Sequence, residues 1–105
     1  YVIEEKDANF LSIVKAFYNN DKYIAAICAA PTILGHLGIL KGKKYTCYTS
    51  MNEDFQGEYV DAYVVKDGKI ITGRSCSASI DFALEIIGTI LGNEKLDSIK
   101  KEIYY

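Results

Sequence analysis

Histidine, arginine, proline and methionine each occur once in these 105 residues, as His36, Arg74, Pro31 and Met51. The three cysteines, Cys28, Cys47 and Cys76, are an odd number without metal-site spacing. That argues against a disulfide scaffold or a metal centre and for a reducing compartment, the cytoplasm. No apolar run approaches the ~18 residues of a membrane span, and no signal-peptide pattern is visible. Charge of one sign is also scarce, since the formal net charge is only −2. Lys41, Lys43 and Lys44 form the densest basic cluster, and a solvated loop accounts for them, so a nucleic-acid partner is not expected. Repeats, linkers and low-complexity segments are missing too. What remains is half hydrophobic and a quarter charged, the composition of one small globular α/β unit with a modest core.

The most informative stretch is Tyr23-Ile24-Ala25-Ala26-Ile27-Cys28-Ala29-Ala30-Pro31-Thr32. A short continuous apolar run predicts a strand over Tyr23–Ile27 that is buried on both faces. Pro31 suits the first turn of a helix and little else inside one. Cys28 therefore falls on a tight strand-to-helix turn, flanked by alanines that leave room for a strained backbone. Such a turn is a nucleophile elbow with cysteine in place of serine. A helix N-terminus beyond it favours a thiolate and a developing oxyanion, and the N–H of Ala29 is the natural donor. The same pattern also fits a small buried cysteine in a core strand, and spacing alone does not separate the two.

Elsewhere the chain alternates helices and strands. Asp7 or Asn9 caps a first helix whose Phe10, Ile13, Val14 and Phe17 share one face. Asn19-Asn20-Asp21 ends it. A short helix from Pro31 is weakened and stopped by Gly35 and Gly38. A second short strand spans Tyr45–Tyr48 and is the one visible parallel neighbour for Tyr23–Ile27. Asn52–Gly57 reads as a loop. Glu58–Val65 and Lys69–Thr72 form a hairpin around Asp67-Gly68, an antiparallel addition that sits off the main sheet. Ser77 or Ser79 caps a helix with an apolar stripe of Phe82, Ala83, Ile86, Ile87, Ile90 and Leu91, closed by Gly92. Asn93 caps a last helix with Leu96, Ile99 and Ile103 facing inward. Helices flanking a buried strand imply a three-layer α/β sandwich.

Four segments in this order, Ala25–Thr32, Gly38-Ile39-Leu40-Lys41-Gly42-Lys43-Lys44, Asp67–Arg74 and Asp81–Ile87, resemble the ThiJ/PfpI superfamily. The resemblance runs from roughly Ile24 to Gly92. It implies a flavodoxin-like three-layer sandwich with a nucleophile elbow, of the class I glutamine amidotransferase-like kind. The family domain is nearly twice as long, so residues 1–105 correspond to about its C-terminal half, one portion of a single domain. The chain opens on Tyr1 without an initiator Met, and it reads as a fragment, a processed chain or one piece of a nicked protein. The implied partner is the missing N-terminal half, as a second polypeptide, or another copy of the chain, as in a dimer. In the family that half carries a glycine turn and a glutamate beside the cysteine.

The resemblance implies Cys28 as the catalytic thiol and the Ala29 N–H as oxyanion donor. Tyr48, Arg74 and Ser75 are implied to line the pocket. Tyr48 stands where some members have a histidine, and Ser75-Cys76 replaces the usual glycine and proline after the arginine. Arg74 either orients a substrate carboxylate or forms a structural ion pair. His36 lies about two helical turns beyond Cys28 and reads as a surface or helix-end residue. Cys47 and Cys76 read as spectators, with the alternative that either lies near enough to trap an oxidised Cys28. The expected function is a cofactor-independent, glyoxalase- or deglycase-like enzyme acting on a small aldehyde, with methylglyoxal turned into lactate. A redox-sensing or stress-protective protein acting through oxidation of Cys28 is the alternative. A relic of the fold without activity is also open. An intracellular peptidase is weaker, because that branch has histidine directly after the nucleophile and this chain has Ala29.

Overall fold

The computed structural model describes residues 2–105, and Tyr1 lies outside them. Helices α1 (Val2–Lys6) and α2 (Ala8–Asn19) open the chain. Asp7 caps α2: its carboxylate accepts the N–H groups of Asn9 at 2.9 Å and Phe10 at 3.2 Å. Strand β1 (Ile24–Ile27) leads through the turn at Cys28 into α3 (Pro31–His36), with proline in the first turn as expected. Strands β2 (Lys44–Tyr45) and β3 (Glu58–Tyr59) are two residues each. Strands β4 (Val64–Asp67) and β5 (Ile70–Gly73) form the hairpin around Gly68, whose φ of 61° meets the turn's need for a left-handed residue. Helices α4 (Ser79–Leu91) and α5 (Asn93–Glu102) complete the chain, divided by Gly92 at φ 90°.

The hairpin belongs to the main sheet, with β5 in its centre and β4 at one edge. Strand order is β1-β5-β4, with β5 parallel to β1 and antiparallel to β4. Two expectations are corrected here. The hairpin does not sit off the main sheet, although β4 is its antiparallel edge strand, and Tyr45–Tyr48 is not the parallel neighbour of β1. Strand β2 instead pairs with β3 in a separate two-stranded sheet. The physical reason lies in Thr46 and Tyr48. The N–H of Thr46 donates to the Thr72 hydroxyl at 2.9 Å, and that of Tyr48 to the Cys28 carbonyl at 2.8 Å, so neither joins a regular ladder. The single strand expected over Glu58–Val65 is likewise two, β3 and β4, because residues 60–63 turn out of the pleat.

Side chains of β1 alternate between two helical layers. Ile24 and Ala26 pack in the core with Val14 of α2, Leu34 of α3 and Ile70. On the opposite face Ile27 meets Phe82 of α4 above Gly73. These are the three layers, but β1 is not buried throughout, since Ala26 is its one buried residue and Ala25 is exposed. The apolar faces of the outer helices also run past their cover. Ile13, Phe17, Ile90, Leu91 and Ile103 are at least half exposed, so Ile103 does not face inward. Neither serine caps α4. Ser77 Oγ pairs with Ser75 Oγ at 2.8 Å, and Ser79 Oγ donates to the Cys76 carbonyl at 2.7 Å. Asn93 is the first residue of α5 rather than its cap. Among the described residues no helix is long and apolar enough to cross a membrane.

Candidate active site

Cys28 occupies the turn with φ 66°, the left-handed region that side chains other than glycine seldom adopt. A residue held there costs on the order of 1–3 kcal/mol and persists only where the surroundings impose it. Here they do. The Cys28 N–H donates to the Gly73 carbonyl at the end of β5 at 2.9 Å, and the Cys28 carbonyl accepts the Tyr48 N–H at 2.8 Å. Both backbone groups are thus pinned by different segments, one in the sheet and one in the loop after β2. The strain that the alanine-flanked sequence anticipates is present, and it lifts the cysteine out of the strand's alternation. Cys28 is half-buried.

The turn leaves one donor free. Ala30 N–H bonds the Ile27 carbonyl at 3.1 Å and Thr32 N–H the Ala29 carbonyl at 3.1 Å, whereas the Ala29 N–H meets no acceptor among the described residues. An unpaired N–H on the residue after a nucleophile is what an oxyanion requires. Pro31, Thr32, Ile33 and Leu34 are all buried, so α3 holds this turn rigidly. The Thr32 hydroxyl adds a bond to the Met51 carbonyl at 3.3 Å.

Tyr48, Arg74 and Ser75 come together with Thr49 and Ser77 around a cleft of about 240 Å³. It adjoins the elbow through the Tyr48–Cys28 hydrogen bond, although Cys28 itself does not line it. Arg74 is already engaged. Its Nη1 donates to Asp61 Oδ1 at 3.2 Å, and its guanidinium lies 4.1 Å from the centre of the Tyr63 ring. A substrate carboxylate would have to share it with Asp61. Sequence reading missed Thr49, Asp61 and Tyr63 at this cleft. Only the hydroxyl-rich run around Cys76 hinted at the cleft, and nothing local pairs Asp61 with Arg74.

The other candidates fall elsewhere. His36 ends α3 and is held by two carboxylates: Nδ1 by Glu5 of α1, and Nε2 by Glu53 at 3.0 Å. The Glu53 hydrogen bond, foremost, and Glu5 raise its pKa above the usual 6.5, against a smaller opposing effect of burial. The helix-end reading of His36 holds; its partners tie α1 and the loop after β2 to α3. Cys47 is fully buried in the core, and burial, aided by the nearby Cys28, pushes its thiol up to about 11. Cys76 is exposed. Among the described residues no three His, Cys, Asp or Glu side chains gather where a metal could sit.

The profile of the DJ-1/PfpI family matches residues 4–89. Protein dj-1beta of Drosophila melanogaster is 43% identical over 81 residues, which cover 74% of this chain and 43% of that protein. The glutathione-independent glyoxalase DJR-1.2 of Caenorhabditis elegans is 34% identical over 94 residues, covering 87% of this chain and 50% of the relative. The crystal structure of Drosophila melanogaster DJ-1beta superposes with a TM-score of 0.88 at 33% identity, over 97% of this chain and 56% of that one. The chain thus spans about half the length of the relatives it matches.

Proposed function

This chain belongs to the DJ-1/PfpI family, and on that premise we propose that Cys28 is the nucleophile of an enzyme acting on a reactive carbonyl. The carrying observation is the strained Cys28, pinned through both backbone groups, with the Ala29 N–H free beside it. A thiolate there adds to an aldehyde carbonyl and forms a hemithioacetal. The oxygen that gains charge faces the Ala29 N–H. For methylglyoxal a proton then moves between the two carbons, and water releases lactate and frees the thiol. No cofactor enters that balance. One relative bears the name of a glutathione-independent glyoxalase, which supports this substrate class.

The chemistry also requires a proton shuttle. His36 is committed to Glu5 and Glu53, and no other histidine exists. The family resemblance gives the shuttle to a glutamate and a second oxyanion donor to a glycine turn, both in the N-terminal half. Both roles are therefore proposed to be filled from outside these 105 residues, by that half as a second polypeptide or by another copy. The test is methylglyoxal consumption by the purified protein with the N-terminal half supplied. Cys28→Ala is expected to lower it by several orders of magnitude, as loss of a covalent nucleophile does, while His36→Ala leaves most of it. Wild-type turnover in Cys28→Ala would remove the proposal.

A further inference from the structure

Cys28 is not the only thiol at the elbow. The Tyr48 N–H that bonds the Cys28 carbonyl at 2.8 Å is the next backbone group after Cys47. Standard backbone dimensions then place the two Cα atoms at most about 8 Å apart. A disulfide spans roughly 4.4–6.8 Å between Cα atoms, so a shift of at most about 1 Å at the turn brings the pair within that range. The two thiols differ in access. Cys28 is half-buried at the mouth of the turn, whereas Cys47 has no exposed surface. An oxidant from solvent meets Cys28 first, and the electrophile placed to reach Cys47 is the oxidised sulfur of Cys28.

The third thiol is placed differently. Cys76 follows Gly73, the residue whose carbonyl takes the Cys28 N–H, but Ser75 between them is fully extended at φ −168° and ψ 176°. Three residues in that direction carry the chain up to about 10 Å onward, and Cys76 ends exposed.

We propose that Cys47 is the resolving thiol of Cys28, closing a Cys28–Cys47 disulfide after a hydroperoxide oxidises Cys28. In the first step the Cys28 thiolate attacks the peroxide. The O–O bond breaks, an S–O bond forms, sulfur is oxidised and one oxygen leaves as water or alcohol. In the second step the Cys47 sulfur attacks Cys28. An S–S bond forms, the S–O bond breaks, and the departing hydroxide takes the proton given up by Cys47 as water. The elevated pKa of Cys47 keeps it a thiol at rest, so its proton has to leave as the S–S bond forms. The disulfide would protect Cys28 from irreversible sulfinate formation and reversibly silence the site. This regulation rests on Cys28 being the reactive thiol.

The experiment treats the purified protein with hydrogen peroxide in excess of the two equivalents that a sulfinate consumes, and follows intact mass and peptide connectivity without reductant. The wild type should become about 2 Da lighter, with a Cys28–Cys47 cross-link that dithiothreitol reverses. Cys47→Ser should instead carry a Cys28 about 32 Da heavier, formed at least about tenfold faster than in the wild type. Two results overturn the inference: sulfinate at Cys28 forming equally fast in both proteins, or a cross-link to Cys76. Either leaves Cys28 as the reactive thiol. Oxidation at Cys76 with Cys28 untouched would instead sink both the inference and the proposed nucleophile.

Discussion

Gly73 stands opposite Ile27 in the parallel ladder, and a β-carbon on it would come within 2.9 Å of both Ile27 and Phe82. The same residue supplies the carbonyl that holds the Cys28 N–H. Close packing of α4 on the sheet and the strained turn thus depend on one missing side chain. Gly73→Ala should cost about 1–3 kcal/mol by overpacking. Because the backbone must shift at the residue that pins Cys28, turnover should fall more than stability alone explains. Denaturant midpoints and methylglyoxal consumption, measured on the same preparation at a temperature where the variant is fully folded, decide this. An active, fully stable variant would show that the turn does not need this contact.

Cys47 should resist alkylation. Its thiol is displaced from 9.0 to about 11, which lowers the thiolate fraction near neutral pH by about a hundredfold. Full burial slows the reagent further. With iodoacetamide at about pH 8, Cys76 should label readily and Cys47 only once denaturant is added. Labelling of Cys47 at the rate of Cys76 in the native protein would contradict its place in the core.

The elbow was legible because its determinants are local. A short apolar run, two alanines and one proline fix where a strand must turn into a helix, and Cys28 sits there with φ 66°. Asp7 as a cap, Gly68 in its turn and Gly92 at a helix end were legible for the same reason. The partner of β1 was not. Pairing Ile24 with Ile70 joins residues far apart in sequence, and no local pattern says that β5 rather than Tyr45–Tyr48 takes that place. Helix α1 escaped notice because five residues do not form a stable helix by themselves. It is fastened from outside, through Glu5 on His36. Gly35 was read as a helix breaker, but its open side is filled by the Phe55 ring. Ion pairs such as Arg74–Asp61 depend on how loops fold back, which composition does not encode.

The His36 clamp predicts a pH dependence. Glu53 and Glu5 favour the imidazolium, so the folded pKa lies above the unfolded one. The resulting stability is complete below the unfolded value of ~6.5 and is lost as pH rises through the folded pKa. The pair is largely solvent-exposed, so the effect is small, within about 1 kcal/mol. His36 gives the only histidine resonance, and its titration reads the shift directly. Glu53→Gln should lower that pKa, and the loss of melting temperature it causes should be larger at about pH 5.5 than at about pH 8.5. A pKa unchanged by Glu53→Gln would show the clamp to be open in solution.

The last prediction concerns the free side of β1. Strand order places β1 at the sheet edge among the described residues, paired on one side with β5. In a parallel ladder alternate residues bond to alternate sides. The Ile24 and Cys28 N–H groups bond the Lys69 and Gly73 carbonyls toward β5, which turns Ala25 and Ile27 outward. Parallel strands with apolar sequences are normally covered on both faces, and a bare edge of this kind templates association. Around it lie exposed Ala25, Ile13 and Phe17, and an apolar cleft of about 160 Å³ lined by Ile13, Val14, Phe17, Tyr23 and Ile24. The 105-residue chain expressed alone should therefore self-associate or aggregate, and should become well behaved when a polypeptide adds a strand along Ala25–Ile27. Sedimentation velocity reads the first part. Amide exchange reads the second, with Ala25 and Ile27 protected in the assembly and fast in the chain by itself. A stable monomer in which those two amides are already protected would show that the edge is closed from within, and that no outside strand is needed.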